Sequence, residues 1–215
     1  MIRSLVFDFD GTLGDTRANI VLTMTQALRK MGYTVAGEEA IAATIGLPLE
    51  EGFRQLVPGI SETETLECAI TYREIFEINR KKLVPKLFPN VRETLGILAE
   101  KGFVMTIASS RMSVSLNGFL RDMGIADLIS YVVGADNVTF AKPHPEPVLK
   151  TLNALGISPE EALVVGDMPV DIIMGKGAGV RTCGVTYGNS SRKDLEEVGA
   201  DYIIDDFPTI LSILG

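Results

Sequence analysis

The sequence predicts an α/β protein, a doubly wound parallel sheet into which a small all-helical domain is inserted. Three observations predict it. Short, mostly apolar runs recur at 4–9 ("SLVFDF"), 103–109 ("FVMTIAS"), 131–134 ("YVVG"), 162–167 ("ALVVGD"), 181–186 ("RTCGVT") and 202–205 ("YIID"), the pattern of strands bounded by turn residues. Stretches with helical apolar spacing separate them, and such alternation indicates a parallel sheet with helices on its faces. One interval breaks the rhythm: from about Arg17 to Pro85 there is no convincing strand. That is too long for a plain crossover and reads as a separate helical domain.

The first strand runs into "VFDFDGTLGDT" at 6–16. Side chains two apart in an extended strand share a side, so Asp8 and Asp10 are expected to converge at its end. Two anions so close need a cation, a shared proton or water to offset their repulsion, and a metal site is the first candidate. Taken alone, "DFDG" fits an ordinary turn equally well. In the insert, Ile20, Met24, Leu28 and Met31 mark an amphipathic helix ended by Gly32. "GLPLEEGFRQLVPG" gives a shorter helix after Pro48. Leu66, Ala69, Ile70 and Arg73 to Phe76 mark another, with Ser61 and Glu64 placed as a capping box. The joints of the insert fall near 14–17 and 82–89.

Beyond it, Val91, Leu95, Leu98 and Ala99 outline a helix before the second strand, and Leu116, Phe119, Leu120 and Met123 one after it. The second strand ends in "ASSR", where the hydroxyls and N–H groups of Ser109 and Ser110 can hold phosphate oxygens or cap the next helix. In "AKPHPEP" three prolines at alternate positions stiffen the loop that carries Lys142. His144, the one histidine, fits loop packing or solvent exposure and is assigned no chemistry. "VVGDMPVDIIMGKGAG" ends another strand in carboxylates, Asp167 and Asp171. Gly166 is expected to permit a tight turn there, and Gly175, Gly177, Ala178 and Gly179 to let the following helix approach the sheet.

Composition sets limits. The 215 residues are enough for one large domain or two modest ones. A formal net charge of −8 disfavours a nucleic-acid backbone as partner, while a small anion needs only a few local cations. Two cysteines, Cys68 and Cys183, give neither a disulfide framework nor metal-ligand spacing, so they read as core thiols in a reducing compartment. Asp8 interrupts the short apolar run after Arg3, which is not the form of a signal peptide, and no apolar stretch approaches a membrane span. A cytoplasmic protein is expected.

Four features thus fall at the C-terminal ends of predicted strands, where open α/β sheets bind ligands. Together they supply carboxylates, a lysine and hydroxyls, the components of a metal and phosphate site. "DFDGTLGDT", Ser109, Lys142 with "KPHPEP", and "GDMPVD", in that order and each after a strand, resemble the four motifs of the haloacid dehalogenase superfamily over nearly the whole chain. The likeness is to its phosphoglycolate phosphatase-like and β-phosphoglucomutase-like branch, which carries a helical cap just after the first motif. The resemblance implies a Rossmann-like core of residues 1–15 and 86–215 and a cap of residues 16–85. It implies a Mg²⁺-dependent phosphatase acting on a small monoester of the phosphoglycolate or sugar-phosphate type. Asp8 would be the nucleophile, forming an aspartyl-phosphate, and Asp10 the acid and base. Mg²⁺ would be held by Asp8, the carbonyl of Asp10 and Asp167, with Asp171 directly, through water or behind them. Ser109, Ser110 and Lys142 would bind the phosphoryl oxygens. Glu50 and Arg54 in "IGLPLEEGFR", and Arg111 from the core, are the candidates for reading the leaving group. The partner would be a small phosphorylated metabolite, with no nucleic acid and no membrane, and the chain a monomer or weak dimer. A phosphomutase shares these motifs. A receiver-type signalling module also joins carboxylates, Mg²⁺, a hydroxyl and a lysine, but carries its acceptor aspartate later and has no cap. Met168 and Pro169 replace the usual small residue after "GD".

Overall fold

The computed structural model describes residues 1–214. The chain opens with β1 (Ser4–Phe7), then β2 (Gly14–Asp15), α1 (Arg17–Lys30), α2 (Glu38–Ala42), α3 (Leu49–Leu56) and α4 (Glu62–Lys82). It continues with β3 (Lys86–Leu87), α5 (Val91–Glu100), β4 (Val104–Ala108), α6 (Ser113–Asp122), β5 (Tyr131–Val133), α7 (Glu146–Leu155) and β6 (Ala162–Gly166). It closes with α8 (Pro169–Gly177), β7 (Arg181–Val185), α9 (Arg192–Glu197), β8 (Tyr202–Ile204) and α10 (Ile210–Leu214). The six runs expected to be strands all pair, in parallel and in the order β5-β4-β1-β6-β7-β8.

Strand alternation sorts the core into the two faces of the sheet. Leu5 and Phe7 of β1 and Leu163 and Val165 of β6 pack with Val91, Leu95 and Leu98 of α5 and Leu116, Phe119 and Leu120 of α6. Val6, Ala162 and Val164 point the other way and meet Val148 and Leu152 of α7 and Met174 of α8. Burial on both faces is why these strands read as unbroken apolar runs, and each such side chain contributes roughly 1.5–3 kcal/mol.

Among the described residues no strand lies between Asp15 and Lys86. Helices α1 to α4 there gather a further core of Met24, Ala27, Leu28, Ile41, Phe53 and Cys68. The Ser61–Glu64 capping box starts α4: the Ser61 hydroxyl accepts the Glu64 N–H at 3.3 Å, and the Glu64 carboxylate accepts the Ser61 N–H at 3.0 Å. Two features left no pattern in the sequence. Helix α2 spans five residues, too few for a period to register. The chain leaves and re-enters the sheet domain through an antiparallel ladder, Gly14 opposite Leu87 and Asp15 opposite Lys86, whose two-residue strands carry no alternation. Of the small positions in "GKGAG", Gly175 brings α8 onto the sheet, since a Cβ there would lie 2.7 Å from Thr182 Cγ2 and 3.0 Å from Val164 Cβ, and Ala178 joins Val164 in the core on that face. Gly177 faces Pro145 and Gly179, at φ +73°, turns the chain. No helix among the described residues is long and apolar enough to cross a membrane.

Candidate active site

The chain winds outward in both directions from β1, which lies between β4 and β6, so the sheet's topological switch is at the C-terminal end of β1. Asp8 follows β1 directly, its N–H donating to Val165 O at 2.8 Å, and Ser109 and Asp167 follow β4 and β6 in the same way. The ladder therefore carries these three residues to one edge. Lys142 comes from the loop before α7, and Asp171 from the first turn of α8.

Lys142 is buried there as a counter-ion. Its Nζ donates to Asp8 Oδ1 at 2.6 Å and to Asp171 Oδ1 at 2.7 Å, and its side chain is 1% exposed. Burial disfavours its charge, yet the carboxylates of Asp171 and Asp8 outweigh that and hold its pKa well above the usual lysine value. Asp171 Oδ2 accepts the Met168 N–H at 3.0 Å, so both its oxygens are engaged. Asp167 is held by Thr12, whose hydroxyl donates to Oδ1 at 3.1 Å, and by Asn189, whose backbone N–H and Nδ2 donate to Oδ2 at 2.7 and 2.9 Å.

Space for these carboxylates is made by residues without a Cβ. At Gly11, φ +90°, a Cβ would lie 2.2 Å from Asp167 Oδ2. At Gly166 it would lie 2.3 Å from Asp171 Cβ, so this glycine provides room for Asp171 and not the tight turn expected of it.

Asp8, Asp167 and Asp171 each offer an oxygen within 4.8 Å of the others, all buried. Asp8 Oδ2 is buried without a hydrogen-bond partner. Burial, then the charges of Asp171, Asp167 and Asp10, push the Asp8 pKa well up, with Lys142 opposing. Burial and the neighbouring Asp171 raise that of Asp167 to about 7, against the pull of its bonds from Asn189 and Thr12. One ammonium is too little cation for three buried carboxylates. Hard oxygen donors with an orphaned lone pair among them fit a small divalent ion such as Mg²⁺.

Asp10 departs from the sequence reading. Strand geometry ends at Phe7, so its side chain does not join the cluster and meets a cation of its own. Arg111 grips it from Nη2 to Oδ1 at 2.5 Å and from Nε to Oδ2 at 3.1 Å, and the Thr16 hydroxyl donates to Oδ1 at 2.7 Å. The guanidinium lies over the rings of Phe76 of α4 and Phe119 of α6, 4.7 and 4.9 Å from their centroids. Burial works against its charge, but Asp10 keeps it firmly protonated.

A cavity of about 310 Å³ opens from Asp8 and Asp10 toward the helical segment. Ser109, Arg111 and Glu50 line it, and Glu50 is paired with Arg73 of α4 at 2.8 Å. Arg54 does not line it: the residue is turned outward, held by Glu51 at 3.3 Å and Glu62 at 2.9 Å. The expected role of Arg54 as a leaving-group reader has no support in this placement. The Ser110 hydroxyl is also taken up elsewhere, donating to the Gly46 carbonyl at 2.6 Å, while the Ser109 hydroxyl accepts the Arg111 N–H at 3.2 Å. Gly46, at φ +92°, lies against Met168, whose Cγ would be 3.0 Å from a Cβ there. The unusual Met168 is thus the counter-surface for the loop before α3. His144 stacks on Phe140 with centroids 4.8 Å apart, and both cysteines are buried free thiols.

Sequence reasoning passed over Asn189, Thr12, Thr16, and Arg73, Tyr72 and Phe76 of α4, which line the cavity. The first could have been found by extending the strand-end rule to the loop after β7. The two threonines stand in the quoted first motif. For the three α4 residues the helical period gave no sign of which face meets the cavity.

The family model of haloacid dehalogenase-like hydrolases matches residues 5–185. The phosphoglycolate phosphatase of Haemophilus influenzae is 32% identical over 216 residues, 97% of this chain and 96% of its own. The pyrophosphatase PpaX of Oceanobacillus iheyensis is 34% identical over 214 residues, covering 100% of this chain and 97% of its own. A structure from Bacteroides fragilis, solved as a haloacid dehalogenase-like hydrolase, superposes with a TM-score of 0.89 at 31% identity, over 98% of this chain and 100% of that one.

Proposed function

Because the chain belongs to the haloacid dehalogenase-like hydrolases, we propose that it is a Mg²⁺-dependent phosphatase that hydrolyses a small phosphate monoester through Asp8. The observation that carries this reading is the unpartnered Oδ2 of Asp8, buried at the sheet's switch point beside Asp167, Asp171 and Lys142. Asp8, Asp167 and the carbonyl of Asp10 would hold Mg²⁺, with Asp171 behind them, since Lys142 and Met168 N–H occupy its two oxygens. When bound, the ion lets an anionic nucleophile approach an anionic phosphoryl group.

In the first half-reaction an Asp8 oxygen forms a bond to phosphorus as the phosphorus–oxygen ester bond breaks, and the proton of Asp10 goes to the leaving alkoxide. In the second, water attacks the phosphorus, its proton passes to Asp10, and the bond from phosphorus to Asp8 breaks, releasing phosphate. Ser109 and Lys142 offset the charge on the phosphoryl oxygens. Arg111 acts as a positioning residue, since its two bonds to Asp10 fix the orientation of that carboxyl beside the cavity.

Residues 16–85 would be a cap over a core of 1–15 and 86–215. The paired strands β2 and β3 form its two joints, and Ser110 and Met168 meet Gly46 where it rests on the core. The two relatives, at nearly equal identity, are named for different leaving groups, glycolate and phosphate, so the ester must be read from the cavity. The test is intact-mass analysis during turnover of acetyl phosphate with Mg²⁺. A phosphoryl adduct on Asp8, absent from Asp8→Asn together with all turnover, is expected. An adduct on Ser109 would overturn the scheme.

A further inference from the structure

We propose that the leaving group is an apolar alcohol or phenol of about ring size, an inference that deepens the phosphatase reading and rests on it. Beyond Asp8 and Asp10 the cavity walls are mostly apolar: Met24, Leu47, Leu49 and Phe76 line them, with Tyr72 and Glu77 among them. Apolar surface continues to the outside, because Met112 and Val114 also line the cavity and are 37% and 76% exposed. Large apolar side chains left open beside a site mark what the site is built to cover.

The charges agree. Two cations line the cavity, and each is already matched: Arg73 by Glu50, and Arg111 by both oxygens of Asp10. A carboxylate or second phosphate on the leaving group would have to share a guanidinium that already has its counter-ion, and would face Asp10 or Glu50 beside it. An apolar group disturbs neither. At about 310 Å³ the cavity lies at the lower end of the range of small-molecule sites. The phosphoryl group takes part of that space, and the rest suits a leaving group of the order of a phenyl ring or a short alkyl chain.

The test uses the full chain with Mg²⁺ and phosphonates, whose carbon–phosphorus bond survives, so that binding is read apart from turnover. Calorimetry over ethyl- to pentylphosphonate should show affinity rising roughly fourfold per methylene, the equivalent of ~0.8 kcal/mol. Phosphonoacetate should bind more weakly than propylphosphonate. Leu49→Asn, and separately Met112→Gln on the exposed mouth, should flatten the series. A series flat in the native chain, no binding at all, or phosphonoacetate as the tightest ligand would overturn the proposal. The last result, if lost in Arg111→Lys, would assign Arg111 to an anionic leaving group instead. A steep series with no phosphate released from any monoester or from acetyl phosphate would instead reject the phosphatase reading.

Discussion

Replacing Lys142 by Met removes the one ammonium from a cluster of buried carboxylates while keeping the shape of the side chain. Its Nζ is 2.6 Å from Asp8 and 2.7 Å from Asp171, and these three side chains are between 1% and 3% exposed. Breaking a buried ion pair by removing one partner costs about 3–5 kcal/mol, because the remaining charge has neither water nor partner. For a chain of this size each kcal/mol shifts Tm by roughly 2–4 °C, so a fall of about 6–20 °C is expected at pH 8 in EDTA. The pH dependence fixes the cause. Asp8 already has a folded-state pKa above its unfolded value, and losing Lys142 raises it further. A carboxyl whose folded pKa is raised contributes stability below its unfolded pKa and loses it as pH rises through the folded one. The deficit of Lys142→Met should therefore be small near pH 4.5 and grow toward pH 8, by up to ~1.4 kcal/mol per pH unit for each proton involved. Thermal unfolding of both proteins at the two pH values, followed by circular dichroism, measures it. Adding Asp8→Asn to the variant should recover part of the loss. A Tm within 2 °C of the native chain at pH 8, or an equal deficit at both pH values, would refute the assignment of Lys142 as the cluster's counter-ion.

Mg²⁺ at about a hundred times its Kd should stabilise the chain by ~2.7 kcal/mol at pH 8. The gain should be smaller at pH 5, where Asp167, raised to about 7 without metal, carries a proton that the ion must displace; Asp167→Asn should abolish the shift in a thermal melt. Gly46→Ala places a Cβ 3.0 Å from Met168 at φ +92°, a strain of about 1–2 kcal/mol. Because Gly46 is where the cap would rest on the core, the change should lower kcat/KM roughly 5- to 30-fold with an unchanged far-ultraviolet spectrum; unaltered steady-state kinetics would remove Gly46 from that contact. Burial pushes the Cys183 thiol up to about 12, and Cys68 is buried with it. Native protein at pH 8 should therefore take up no iodoacetamide in the time the unfolded chain takes up two equivalents, as read by intact mass. A raised thiol pKa also means stability that is lost above about pH 8.5, where the unfolded thiol ionises first.

The six strands were legible because the evidence for each is local. A strand buried on both faces must be a short apolar run, and Ser4–Phe7, Val104–Ala108 and Ala162–Gly166 lie within the runs that signal them. The capping box at Ser61 is a spacing of three, and it formed as spaced. Helix α2 and the β2–β3 ladder were not legible, because five residues and two residues are shorter than the periods that would reveal them. Strand ends brought Asp8, Ser109 and Asp167 to one edge, since in a parallel sheet every C-terminal end lies on the same side. Partnership is another matter. The sequence set Asp8 and Asp10 against one another, and the fold gave each its own cation, from loops more than a hundred residues away along the chain. Arg54 and Arg73 look alike in sequence, yet Arg54 faces outward and Arg73 lines the cavity. Local pattern determines where the backbone runs and which side of it is apolar, because those depend on neighbours in the chain. A charge takes its meaning from the water and partners around it. Only the approach of β1 and α8 to the Lys142 loop turned a lysine with the local signature of a solvated surface residue into the buried counter-ion of two carboxylates.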